Sequence, residues 1–263
     1  MKIGVTTAIK PSNTLLEKAK AIASQLEIPN ITRKKLSIKK ILDENALDYV
    51  FIVQSEKILL KNFNNELFWH PGTSVIKLWE TGLGGSNQLI KAAQIQEGDH
   101  ILDCTLGYGS DAIVMAWAAG ETGKVTGLED NRYLAFLACD GLKHYQQVSD
   151  PIRQAMHRVE VIHSNYKTYL STQEDNSIDI VYFDPMFQSP NKASTSLNAI
   201  REFANMSDLD RRWVDEALRV CKKRVIVKER IGSGVFKKLG ITKRIGEMRM
   251  GSVVYGILEK NDD

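Results

Sequence analysis

At 263 residues, with 43% hydrophobic and 25% charged residues, the chain can bury the core of one large domain and leave a smaller one beside it. A formal net charge of +3 does not by itself point to nucleic acid, and no apolar run reaches the ~18 residues that a membrane span needs. Cys104, Cys139 and Cys221 are odd in number and far apart, with no Cys-x-x-Cys pair and no clustered histidines, which argues against a disulfide framework or a zinc site.

The first residues, Met1-Lys2-Ile3-Gly4-Val5-Thr6-Thr7, lack the long apolar stretch of a signal peptide, so a cytoplasmic location is expected. Leu15 to Leu26 carries apolar residues at helical spacing, with Ser12, Asn13 and Thr14 as cap candidates and Ile28-Pro29 as the stop. Leu36 to Ile41 suggests a second short helix. Tyr49–Val53, Ile58–Leu60 and Leu67–Trp69 read as strands, the last two separated by the turn-rich Asn62-Phe63-Asn64-Asn65. Residues 1–70 thus form a small N-terminal α+β domain, a candidate for substrate recognition, ending near His70-Pro71-Gly72. Basic clusters occur at Arg33-Lys34-Lys35 with Lys39-Lys40, at Lys222-Lys223-Arg224 with Lys228 and Arg230, and at Lys237-Lys238 with Lys243-Arg244. Solvated helix and strand ends explain most such runs; an RNA-facing surface is the alternative.

Val75 to Trp79 begins a helical stretch that Gly82-Leu83-Gly84-Gly85 interrupts and Asn87 to Ile95 resumes. From His100 onward strands and helices alternate. Ile101-Leu102, Lys124–Leu128, Val159–Ile162, Ile178–Phe183 and Arg224–Val227 are the strands. Helical segments near Asp111–Ala119, Tyr133–Tyr145, Tyr166–Leu170 and Asp208–Val220 fill the gaps. Such alternation demands a mostly parallel sheet with helices on both faces. Ile241–Met248 and Ser252–Leu258, joined across Arg249-Met250-Gly251, add a terminal antiparallel hairpin. The expected fold of residues 71–263 is therefore α/β and Rossmann-like, the architecture of class I methyltransferases.

The segment I-L-D-C-T-L-G-Y-G-S-D, Ile101 to Asp111, is the densest in information. A strand ends in Asp103, turns through Gly107 and Gly109, and enters a helix near Asp111, the way open α/β sheets hold a nucleotide-like ligand. There is no third glycine, and Asp103 would repel a pyrophosphate but attract an ammonium group. That combination favours S-adenosylmethionine over a nicotinamide dinucleotide. Glu129, about twenty residues further on at a strand end, can accept both ribose hydroxyls. Asn165, after the third strand, is a candidate for the adenine edge, while the neighbouring His163 is assigned no role. Asp111 is either a ligand contact or a first-turn carboxylate favoured by the helix dipole. Asp103, Thr105, Gly107, Gly109, Asp111, Glu129, Asn165 and Asp184 make up the candidate cofactor site. Cys104, within the loop, reads as a small buried residue.

After the fourth strand comes Asp184-Pro185-Met186-Phe187. An exocyclic NH2 offers two hydrogens, and an Asp184 oxygen and the Pro185 carbonyl can each accept one, aiming the nitrogen at the methyl donor. Phe187 can stack on a base that has left its helix, and the carboxylate stabilises the positive charge that develops on nitrogen. Asp184, Pro185 and Phe187 are thus the candidate catalytic residues; an ordinary Asp-Pro turn is the bland alternative. The polar stretch Gln188 to Asn198 is a candidate lid or a plain connector.

The motif Asp103-Cys-Thr-Leu-Gly-Tyr-Gly-Ser-Asp-Ala, with Asp184-Pro-Met-Phe and Phe68-Trp69-His70-Pro71-Gly72, resembles the ribosomal RNA small-subunit methyltransferase J family. The likeness runs from about Trp69 to the C-terminus. It implies a cytoplasmic, S-adenosylmethionine-dependent enzyme acting on the exocyclic amine of a guanine in small-subunit ribosomal RNA, with no metal. Where that family usually has proline after the aromatic, this chain has Gln188-Ser189-Pro190. Other planar amines, in DNA, protein amides or small molecules, stay open as acceptors, as does a module that only binds cofactor or RNA.

Overall fold

The computed structural model describes residues 1–82, 87–185, 202–203, 208–247, 250 and 252–260, with the backbone alone for 79–82. It contains two compact units, one of Met1–His70 joined by Glu202 and Phe203, the other of the remaining described residues from Pro71 onward.

The N-terminal unit is a four-stranded sheet in the order β1 (Ile3–Thr7), β2 (Tyr49–Val53), β3 (Ile58–Lys61) and β4 (Glu66–Phe68). β1 and β2 are parallel, and α1 (Asn13–Leu26) and α2 (Ile38–Glu44) lie between them in the chain. The Ser12 side chain accepts a hydrogen bond from the Leu15 amide at 3.3 Å and so caps α1. Between β3 and β4, Asn62 Oδ1 accepts from the amides of Asn64 and Asn65 at 2.8 and 2.5 Å, an Asx turn that closes the hairpin. β1 was not among the expected strands. Thr6 and Thr7 make the segment look polar, yet both are buried, and the Thr6 hydroxyl donates to the Ile31 carbonyl at 2.7 Å. Glu202 and Phe203 are held here by Tyr49: its hydroxyl donates to Glu202 Oε2, and its ring meets Phe203 edge-on at 4.9 Å.

The second unit is a seven-stranded sheet of β5 (His100–Asp103), β6 (Lys124–Glu129), β7 (Val159–His163), β8 (Ile178–Phe183), β9 (Cys221–Arg230), β10 (Lys243–Gly246) and β11 (Val253–Glu259), in the spatial order β10-β11-β9-β8-β5-β6-β7. β5 to β9 pair in parallel; β11 runs antiparallel to both β9 and β10. The helices are α3 (Ser74–Gly82), α4 (Gln88–Ala93), α5 (Ser110–Ala118), α6 (Arg132–His144), α7 (Asp150–His157), α8 (Tyr166–Ser171), α9 (Arg211–Val220) and α10 (Val235–Lys238). α7 was missed from the sequence, although Ser149-Asp150-Pro151 is an N-terminal signal with proline in the first turn. β9 is longer than the expected Arg224–Val227, running on to Arg230.

Alternation along the central strands divides the core. Val181 and Phe183 of β8 and Val225 and Val227 of β9 join one apolar cluster with α8, α9 and α10. Tyr182, Ile226 and Lys228, the intervening positions, point to the other face. There the Tyr182 hydroxyl reaches Asp111 in the first turn of α5.

Candidate active site

The strand order reverses between β5 and β8, with β6 and β7 on one side of β5 and β8 and β9 on the other. Connections leaving two such strands diverge, and the crevice at their carboxyl ends is where open α/β sheets bind ligands. Asp103 ends β5 and Asp184 directly follows β8.

The glycine loop between Asp103 and α5 is sewn to its neighbours. The Cys104 amide donates to the Tyr182 carbonyl, the Leu106 amide to the Leu128 carbonyl, both at 2.9 Å, and the Gly109 amide to the Leu106 carbonyl at 2.8 Å. Gly107 and Gly109 hold φ values of +55° and +77°, the left-handed region that glycine enters without penalty. Among the described residues a Cβ at Gly107 would meet nothing within 4 Å, so they leave open space against the backbone there. Leu106 fills the gap between the loop and β6. A Cβ at Gly127 would lie 2.5 Å from its Cδ1 and 3.0 Å from its Cγ. We therefore expect Gly127→Ala to cost ~1–3 kcal/mol, the range for overpacking a filled core, and to weaken cofactor affinity by displacing the loop. Thermal unfolding beside a binding isotherm checks both; an unchanged melting temperature contradicts the packing argument.

Two buried carboxylates face this loop, and among the described residues no cation is paired to either. Asp103 is 2% exposed, and among the described residues its Oδ1 accepts a single hydrogen bond, from the Thr105 amide at 3.0 Å. Burial, with Asp111 and Asp184 nearby, pushes it up to about 8. Glu129 accepts from the Gly107 amide at 3.1 Å and the Asn131 amide at 2.9 Å, and burial raises it as well. Each would be relieved by a positively charged or hydroxyl-bearing ligand.

Asp111 lies in the first turn of α5, the place where the helix dipole favours a carboxylate, and it is tied to three side chains as well. It is 7% exposed, and its oxygens receive Lys77 Nζ, Lys228 Nζ and the Tyr182 hydroxyl, each at 2.7 Å. The flanking ammonium groups hold it well below the usual carboxylate range despite burial. Lys228 continues to Asp184 Oδ2 at 2.6 Å. Burial and Asp111 raise the Asp184 carboxyl, which Lys228 opposes; the two carboxylates hold the Lys228 ammonium well above its ordinary value. Thr105 links the ends of the crevice, its hydroxyl accepting the Asp184 amide at 2.6 Å.

Asp103 and Glu129 thus end β5 and β6, Thr105, Gly107 and Gly109 lie in the loop after β5, Asp111 in the first turn of α5 that follows it, and Asp184 and Pro185 directly after β8, all at the carboxyl edge of the sheet. Asn165 caps α8, its Oδ1 accepting the Lys167 amide at 2.9 Å. His163 meets the Asp130 carbonyl at 3.1 Å, and Cys104 is buried. Phe187 and the Gln188–Asn198 stretch fall outside the described residues. Lys77, Tyr182 and Lys228 were not foreseen. Lys228 had been grouped with a basic surface run, but only its neighbours behave that way: Lys223 pairs with Asp99 at 2.5 Å and Lys222 with Asp179 at 3.4 Å. The available signal was a lysine straight after Val225-Ile226-Val227, since an apolar run of this kind marks an inner strand covered on both faces, and β9 continues past Lys228 to Arg230.

A parallel sheet in this order, closed by a reversed β11 and carrying a carboxylate-flanked glycine loop at its switch point, defines a class I S-adenosylmethionine-dependent methyltransferase. Residues 42–239 match the family model described as "Putative SAM-dependent methyltransferase", and the chain belongs to that family. It is 31% identical over 255 residues to "Uncharacterized protein YpiP" of Bacillus subtilis (strain 168), covering 97% of this chain and 98% of the relative. It is 29% identical over 221 residues to "Ribosomal RNA small subunit methyltransferase J" of Legionella pneumophila (strain Lens), covering 82% and 83%. A solved SAM-dependent methyltransferase from Neisseria gonorrhoeae shares the fold, with a TM-score of 0.63, 15% identity, and coverage of 98% and 96%. Among the described residues no helix is long and apolar enough to cross a membrane.

The residues present suit the cofactor. The open space at Gly107 leaves room for a ligand against the backbone. Asp103 and Glu129 supply uncompensated carboxylates for a cationic methionine end and for ribose hydroxyls.

Proposed function

We propose that this methyltransferase acts on an exocyclic amine of a nucleobase, the N2 of a guanine in small-subunit ribosomal RNA. One observation carries the reading. Asp184, at the end of β8, has its amide pinned by Thr105 and its Oδ2 by Lys228, while Oδ1 makes no hydrogen bond among the described residues. A single oriented acceptor oxygen, with the Pro185 carbonyl next along the chain as a second acceptor, suits a planar NH2 with two hydrogens to place. The fixed Lys228 ammonium disfavours an acceptor that arrives as a cation, such as a lysine side chain, and favours a neutral amine. The ribosomal RNA enzyme of Legionella, similar over most of both chains, supports the choice of nucleic acid.

S-adenosylmethionine, when bound, supplies an electrophilic methyl group on a sulfonium centre. Asp103, Thr105, Gly107, Gly109 and Glu129 hold it, with Asn165 toward the adenine. Asp184 and Pro185 hold the amine, and the Asp184 carboxylate offsets the positive charge that grows on nitrogen. Phe187 stacks on the base. The N-terminal unit contributes to substrate recognition; Lys34, Lys35 and Lys39 are exposed on it and suited to phosphate contacts. Arg33 from the same run serves the fold instead, donating to the Thr7 and Leu36 carbonyls at 3.0 and 3.3 Å.

Mass-spectrometric mapping of ribosomal RNA from cells with and without the protein tests this directly. We expect one methylated guanine of the small subunit to disappear with the protein and to return with the purified enzyme and cofactor. Unchanged ribosomal RNA, with transfer instead to DNA or protein, would redirect the reading to another planar amine.

A further inference from the structure

We infer that Lys228 is a positioning residue for the acceptor: its ammonium, braced by Asp111, fixes the Asp184 carboxylate for the amine and does not touch the cofactor. The inference rests on the reading of Asp184 as the group that receives the amine.

The geometry is specific. Lys228 Nζ lies 2.7 Å from Asp111 Oδ2 and 2.6 Å from Asp184 Oδ2, with a side chain only 15% exposed. Asp111 already accepts three hydrogen bonds, from Lys77 on Oδ1 and from Lys228 and the Tyr182 hydroxyl on Oδ2. Its side chain is buried at 8% exposure, and it holds Lys228 from behind. On the neighbouring strand Tyr255 sits directly opposite Lys228 in the β9–β11 ladder and walls it in. An ordinary structural ion pair accounts poorly for this arrangement. Buried ion networks are often no more stable than apolar replacements of the same volume, and this one lies at the edge of the sheet where the chemistry is placed.

Its removal has a defined consequence. Among the described residues, the charged and titratable groups around the Asp184 carboxylate are Lys228 and Glu229 on β9, Asp111 on α5, Lys77 on α3, Asp103 on β5, Tyr182 on β8 and Tyr255 on β11. Without Lys228 the remaining neighbours among the described residues are mainly acidic, and the other cation acting on Asp184 there, Lys77, is engaged with Asp111. Asp184 then takes up a proton, one oxygen becomes a donor, and the amine loses its acceptor.

The test combines Lys228→Met and Lys228→Arg with Asp184→Ala. Carbon-13 labelling of aspartate follows the Asp184 carboxyl by NMR, the signal being identified by its absence in Asp184→Ala. Turnover is measured on small-subunit ribosomal RNA from cells lacking the protein. In Lys228→Met the Asp184 signal should titrate at a pH at least about one unit higher than in the native protein. Turnover at neutral pH should fall about 30-fold or more and partly recover on raising the pH, while cofactor affinity stays within about threefold. Lys228→Arg should keep the native titration. If Lys228→Met does not fold, Lys228→Met with Asp111→Asn removes both charges and should still raise the Asp184 titration. An Asp184 titration unmoved by loss of Lys228 overturns the inference whatever the turnover, as does a turnover loss uniform across pH. Full turnover in Asp184→Ala overturns instead the reading on which it rests.

Discussion

Asp184→Ala should lower turnover by about two to three orders of magnitude, the scale seen when one oriented electrostatic contact to a developing charge is removed. Cofactor affinity should change far less. Asp184 is placed by its own backbone, whose amide donates to Thr105 at 2.6 Å, so truncating the side chain leaves the strand end intact. Lys228 keeps its 2.7 Å contact to Asp111 and stays in position, which confines the loss to the transfer step. Single-turnover kinetics beside calorimetric titration of the cofactor separates the two. If affinity falls as far as turnover, Asp184 belongs to the cofactor site alone and has no part in holding the amine.

Asp103→Asn should separate binding from stability in opposite directions. In the cofactor-free protein the Asp103 carboxyl is buried with a single backbone donor and is raised from an ordinary 3.8 to about 8. The folded state therefore binds a proton that the unfolded chain releases. The stability this contributes is fully present below the ordinary carboxylate range and is lost as pH climbs through about 8. An asparagine keeps the acceptor for the Thr105 amide and has no proton to lose. The variant should thus melt higher than the native protein at alkaline pH, by ~1–2 kcal/mol or roughly 3–6 °C, with the gap closing toward acid. It should bind S-adenosylmethionine about 10- to 100-fold more weakly, having lost the charge that meets a cationic ligand. Melting curves across pH, with and without cofactor, check both halves. Parallel curves for the two proteins would mean that Asp103 carries its charge throughout.

Much of the architecture can be read from the chain because short apolar strands and helical segments alternate from His100 onward, and such alternation permits few topologies. The cofactor side of the crevice is legible for a related reason. Asp103, the glycines and Glu129 occur at strand ends and turns, where local sequence dictates local geometry. The acceptor side is only half legible. Asp184-Pro185 stands out as a motif, but the groups that hold it come from far away in sequence: Lys77 from α3, Asp111 from α5 and Lys228 from β9. Side chains that act by meeting one another across a fold leave no periodic signature. β1 was hidden differently: two of its five residues are buried threonines, and the Thr6 hydroxyl finds its partner in a tertiary contact that a pattern of apolar residues does not register.

The Thr105 hydroxyl belongs to the loop at the end of β5 and receives the amide that opens the loop after β8. One short hydrogen bond is therefore a gauge between the half of the crevice built for the methyl donor and the half built for its recipient. Transfer between two molecules depends steeply on their separation, and here that separation is referenced to a single side-chain oxygen. A valine in its place would match the shape of threonine and still leave the two halves without a common datum.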